Sequence, residues 1–198
     1  MLKSAVIAVV LMISHPGAGS AQTSFAVTDD LVPVFRVEVW ADTVTDFSNR
    51  VDAYPELRRR LESRLPAVTV TDDVGQLRRG RRTLAGAIRV ARSGAAQGEF
   101  FTPATTAQFQ LVLASIMDAR MWAVIMDENP GAFGHDINGT YPDGKTFSTM
   151  PGLILAQLPE LPDDIQFRFV GRHLILYDVR ANTIIDRMPN AIRCTNCH

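Results

Sequence analysis

Apolar positions between residues 34 and 65 fit two periods at once. The run "VFRVEVW", Val34 to Trp40, alternates and is β-branched, which reads as a strand. Yet Val37, Trp40, Val44, Phe47, Val51, Tyr54, Leu61 and Leu65 recur at a three-four spacing, interrupted only by Arg58. That spacing marks one face of a long helix, which is the preferred reading, with the strand left open for residues 34–40. The helix would place Pro33 at its first position, where the missing N–H costs nothing. It would kink at Pro55, which removes a backbone donor and crowds the preceding turn, and would end at Pro66.

A second helix follows the connector "PAVTVTDD". Asp72 or Asp73 caps it, Val74, Leu77, Leu84, Ile88 and Ala91 line its apolar face, and Ser93–Gly94 ends it. A third starts with Thr102 as N-cap and Pro103 behind it. Its buried face is Phe109, Leu113, Ile116 and Met117, and it runs to Trp122 or a little beyond, before "ENPG" stops it. "HDINGTYPDGKTFSTMPG" is then rich in turn pairs, Asn138–Gly139 and Asp143–Gly144 among them. "LILAQLPELP" gives a short helical turn between prolines.

Three short β-branched or alternating runs come next: Gln166 to Val170, His173 to Asp178 and Thr183 to Arg187. Gly171–Arg172 and the stretch Arg180 to Asn182 separate them, which predicts an antiparallel meander. The expected class is α+β: a bundle of about three helices, the first long and kinked, followed by a small C-terminal β-meander. Residues 22–131 form the helical region, and residues 132–193 the loop and meander, packed with the helices as one domain.

The first residues change the picture of where this domain works. Lys3 gives a positive start, Ser4 to Ile13 is apolar, Pro16–Gly17 breaks the run, and "AGSA" supplies small residues before Gln22. This predicts a secretory signal, residues 1–21, cleaved after Ala21. The run is too short to span a bilayer, which takes about 20 apolar residues, and no later stretch is apolar for long enough. The mature chain is therefore expected to be exported, periplasmic or secreted, and not an integral membrane protein. The formal net charge of −1 implies no global pull toward nucleic acid or membrane. Two cysteines are too few for a disulfide-stapled scaffold.

The stretch "LPELPDDIQFRFVGRHLILYDVRANTIIDRM" resembles the C-terminal hairpin of the periplasmic nickel/cobalt-homeostasis family. The resemblance implies a small sheet and a role in metal homeostasis rather than catalysis, and brings no ligand set with it. "RVDAYPELRRRLESRLP", "QGEFFTP", "NGTYPDGKTFSTMP" and "GRHLILYDVRANTIIDRMPNAI" together resemble a group of exported bacterial proteins of unassigned activity. That second resemblance implies an exported α+β protein and no particular chemistry.

The most specific chemical signal is the ending "CTNCH". Cys194 and Cys197 stand three positions apart, as attachment to two haem vinyl groups requires, and His198 follows as an axial ligand. Export favours the reading, and Met188 or Met150 offers a sixth ligand. The same Cys194, Cys197 and His198 also suit a borderline or soft transition metal such as copper, zinc or nickel. The third reading is a local Cys194–Cys197 disulfide or a terminal pair without a role.

A second candidate is electrostatic. "ELRRRLESR" and "QLRRGRR" put Arg58, Arg59, Arg60, Arg64, Arg78, Arg79, Arg81 and Arg82 on two neighbouring helices. Packed antiparallel, these would offer a basic face for an anionic ligand or envelope partner, with Arg58, Arg59, Arg78, Arg79 and Arg82 as its centre. The competing reading is a solvated face of local ion pairs with Glu56, Glu62, Asp72 and Asp73. Catalytic signals are sparse. His135–Asp136 lies near Ser148 in a turn-rich loop, but Ser148 lacks the Gly-x-Ser-x-Gly turn, and there is no phosphate loop or helical His pair. The leading expectation is thus a non-enzymatic exported binding or accessory protein without a cofactor. A haem- or metal-carrying protein stands second and a hydrolase-like enzyme third.

Overall fold

In a computed structural model the chain is described over residues 36–66, 73–131, 133–134 and 136–192. Helices come first and a three-stranded antiparallel sheet follows, which is the expected α+β order. The three-four pattern wins at the N-terminal side: α1 spans Val37–Glu62 and runs through Pro55. It begins at Val37, with Arg36 still extended, and Pro33 lies outside the described residues. Phe47, Val51 and Tyr54 are buried as the spacing predicts, whereas Val37 at the first helical position is exposed.

Helix α2 spans Val74–Ala91, capped by Asp73, whose carboxylate accepts from the N–H groups of Gly75 (2.7 Å) and Gln76 (3.3 Å). Asp72, the alternative cap, lies outside the described residues. Only the second half of α2 is inserted in the core, through Leu84, Ala85 and Ile88. Val74 and Leu77, expected on the buried face, are 58% and 44% exposed, and Ala91 is exposed too.

The expected third helix is two. α3 spans Pro103–Ile116 and α4 spans Ala119–Asp127, bent by 111° about Met117 and Asp118. Met117 is extended and the Asp118 carboxylate accepts from Met121 N–H at 2.7 Å, so a new N-cap interrupts an apolar pattern that continues unbroken in sequence. Among the described residues no single helix is long and apolar enough to cross a membrane. A short α5, Gly152–Leu155, forms the turn expected between prolines.

The meander consists of β1 (Ile165–Val170), β2 (His173–Asp178) and β3 (Thr183–Met188), in that spatial order. Val170 pairs with His173 across the Gly171–Arg172 turn, and Ile165 with Asp178 at the other end. A register shift between Leu176 and Tyr177 accommodates one extra residue of β3. The helices cover one sheet face: Phe47, Phe101, Phe109 and Phe167 stack within one cluster with Leu174, Leu176 and Met188. The other face is not solvent. Tyr141, with Phe133 and Phe147, packs on Val170, Ile175, Tyr177 and Ile184. The turn-rich segment thus acts as a second layer, which explains why β2 is buried on both sides.

That segment also covers the edge of β3. Asn138 N–H donates to Ile184 O (2.8 Å), Ile184 N–H to Gly139 O (2.8 Å), and Tyr141 N–H to Asn182 O (3.0 Å). The Asn138–Gly139 turn has Asn138 at φ +62°, and a Cβ at Gly139 would lie 2.8 Å from Asp136 O, so only glycine fits there.

Candidate functional site

The arginines that looked like one face in sequence divide into three environments. Arg58 is a correction: it occupies the buried stripe of α1, 5% exposed, and donates to Asp178 (3.2 Å) and to Asp164 (3.3 Å). Asp178 is fully buried and also accepts from Tyr54 Oη (2.8 Å) and Ala181 N–H (3.0 Å). Arg58 therefore holds the sheet to α1 and cannot serve an external anion. Arg59 stays at the surface, paired with Glu56 one turn earlier. On α2, Arg78, Arg81 and Arg82 are exposed and form no ion pair among the described residues. Arg79 meets Asp73 only loosely, at 3.8 Å.

The exposed first half of α2 forms one wall of a groove of about 660 Å³. Glu62 at the end of α1 and Leu65 and Pro66 just after it form one side, α2 supplies Leu77, Arg79, Arg81 and Leu84, and the β2–β3 loop supplies Arg180. This volume lies within the roughly 300–1,000 Å³ usual for small-ligand sites. Among the described residues three arginines and one acidic residue line the groove, and that acid is already engaged: Arg180 Nε donates to Glu62 Oε1 at 3.0 Å. This hydrogen bond and the charge of Glu62 raise the Arg180 pKa further above its ordinary value. Burial pushes the Tyr177 phenol up, and the charge of Arg81 opposes that shift.

The sequence places Arg79, Arg81 and Leu77 on α2 and Glu62 among the arginines, but not Arg180 beside them. Arg180 is 118 residues from Glu62, so no local pattern joins them. The available signal was the pair Val74 and Leu77 beside a dense run of arginines at a helix start.

The catalytic candidates fare differently. Ser148 is 1% exposed and donates to Ile125 O at 2.6 Å, so its oxygen is locked into the fold. His135 lies outside the described residues. His173 Nδ1 accepts the Asn190 N–H at 3.2 Å, which ties the ring to the turn after β3. Among the described residues no group of three or more His, Cys, Asp or Glu could hold a metal. Cys194, Cys197 and His198 lie outside them. Of the two methionines considered as sixth haem ligands, Met188 is fully buried in the helix–sheet core, so its thioether is committed to packing. Met150 is partly buried and borders a second, smaller groove beside β1, of about 490 Å³.

Compared with protein-family models, curated proteins and solved structures, the chain matches none.

Proposed function

We propose that this chain is an exported, non-enzymatic binding or accessory protein whose ligand is an anion held in the groove between α1 and α2. The observation that carries the reading is that Arg79, Arg81 and Arg180 line one concave site of about 660 Å³ in which Glu62, the one acidic residue among the described lining residues, is already paired. Guanidiniums suit such a role because they stay charged and present forked donors to carboxylate or phosphate oxygens. The export half of the reading is supported by the residue pattern of positions 1–21. It calls for a mature N-terminus at Gln22.

The test is calorimetric titration of the purified chain with phenyl phosphate. Binding should weaken at least tenfold in the Arg79→Gln/Arg81→Gln double variant and fall as salt rises. It should be unchanged in Arg59→Gln, which removes a surface arginine outside the groove. Equal loss in the Arg59 variant, or none in the double variant, would remove the groove from the account.

A further inference from the structure

The groove's walls are not uniformly polar. Leu77 is 44% exposed, and Val74 one turn before it is 58% exposed, although α2 could have placed polar residues at both. Leu65, Pro66, Leu77 and Leu84 lie in the same concavity as the three arginines. Leu84 itself is 6% exposed, so the apolar surface deepens from the rim at Leu77 toward the core. A simple inorganic anion would use the guanidiniums and leave this surface wet. A polyanion would favour the outward pair Arg78 and Arg82, which are one helical turn apart and do not line the groove.

We infer that the ligand of this groove is a single-chain anionic amphiphile. Its head group sits among Arg79, Arg81 and Arg180, and its aliphatic part lies on Leu65, Leu77 and Leu84. The inference rests on the anion-binding reading above and adds the substrate class. Its physical basis is that two weak forces act at one place. Charge-assisted hydrogen bonds orient the head, and removal of apolar surface from water adds affinity in proportion to chain length. Arg180 is the adaptable member, since its present partners Glu62 (3.0 Å) and Asp164 (3.8 Å) are both partly exposed and an incoming anion competes with them directly.

The test is a homologous series of methyl, butyl, hexyl and octyl phosphate, each below its micelle concentration, titrated into the full chain. Affinity should rise about three- to fourfold per added methylene until the apolar floor is covered. Leu77→Asn should flatten that dependence, and Leu77→Met should preserve it. Because Leu77 is half in solvent, neither change threatens the fold, which circular dichroism checks. Binding that needs Arg79 and Arg81 but ignores chain length would overturn the amphiphile and keep the anion reading. No arginine-dependent binding by any member would remove both. Association with phosphatidylglycerol vesicles but with no monomeric phosphate ester would also overturn it, by moving recognition from the groove to a lipid surface.

Discussion

Arg58 and Asp178, 120 residues apart in sequence, meet at 3.2 Å in the core, one on α1 and the other at the end of β2. Tyr54 joins them through Asp178, and the Arg92 guanidinium stacks 5.5 Å above the Tyr54 ring. Arg92 in turn donates to Asn138, Glu99 and Ile185 O. One polar chain therefore ties α1, α2, the turn-rich layer and the sheet together. Arg58→Met should destabilise the fold by about 3–5 kcal/mol, because it leaves the Asp178 carboxylate buried without its cation. Arg59→Met, at a solvated pair, should shift stability by less than about 1 kcal/mol. Urea midpoints of the two variants measure the contrast.

Part of this was open to a reader of the sequence. The three strands appear within a residue of where alternation and turn residues place them, because period-two patterning bounded by Gly171 and Asn182 is a local property. The burial of Arg58 is not local, since its partner is contributed by β2. Its position does carry a signal: it falls in the three-four stripe between Tyr54 and Leu61, where a charge implies a buried counter-charge elsewhere. The break at Met117 was hidden for the opposite reason. Apolar residues continue across it, and only Asp118, an N-cap in the middle of a helical pattern, marks the second helix. The site divides the same way, with Arg79 and Arg81 legible on α2 and Arg180 brought in by the fold.

All three tyrosines of the chain have raised phenol pKa values. Burial raises Tyr54 most, with the Asp178 charge adding to it, and burial pushes Tyr141 up to about 12. An unfolded tyrosine titrates near 10. Below that pH both states hold the proton and the contribution to stability is complete. Above it the unfolded state releases protons that the folded state keeps, so stability falls as pH rises toward the folded values. An alkaline titration should show tyrosinate absorbance lagging behind that of free tyrosine and emerging together with loss of helix. Tyr54→Phe should reduce the steepness of the stability loss above about pH 10. A full tyrosinate signal near pH 10 with helix content intact would contradict this packing.

Asp186 organises the loop before α3. Its carboxylate accepts from the N–H groups of Gly98 (2.9 Å), Phe100 (2.8 Å) and Phe101 (2.8 Å), and the residue is fully buried. Asp186→Ala would strand these donors and should cost more than about 3 kcal/mol. Amide exchange at Phe100 and Phe101 should accelerate before global unfolding does.

The ending Cys194, Cys197 and His198 has a direct spectroscopic test. If the chain is a binding protein without a cofactor, material from a host able to attach haem should show no Soret band and the intact mass of the polypeptide alone. A Soret band lost in Cys194→Ala/Cys197→Ala would make the tail the functional centre instead.

Amide chemical-shift mapping with phenyl phosphate decides whether the α1–α2 groove is the ligand site proposed above. Perturbations should concentrate at residues 62–66, 76–84 and around Arg180, and be lost in Arg79→Gln/Arg81→Gln. Perturbations centred on the smaller groove between Met150 and Arg168, or none at saturating probe, would contradict it.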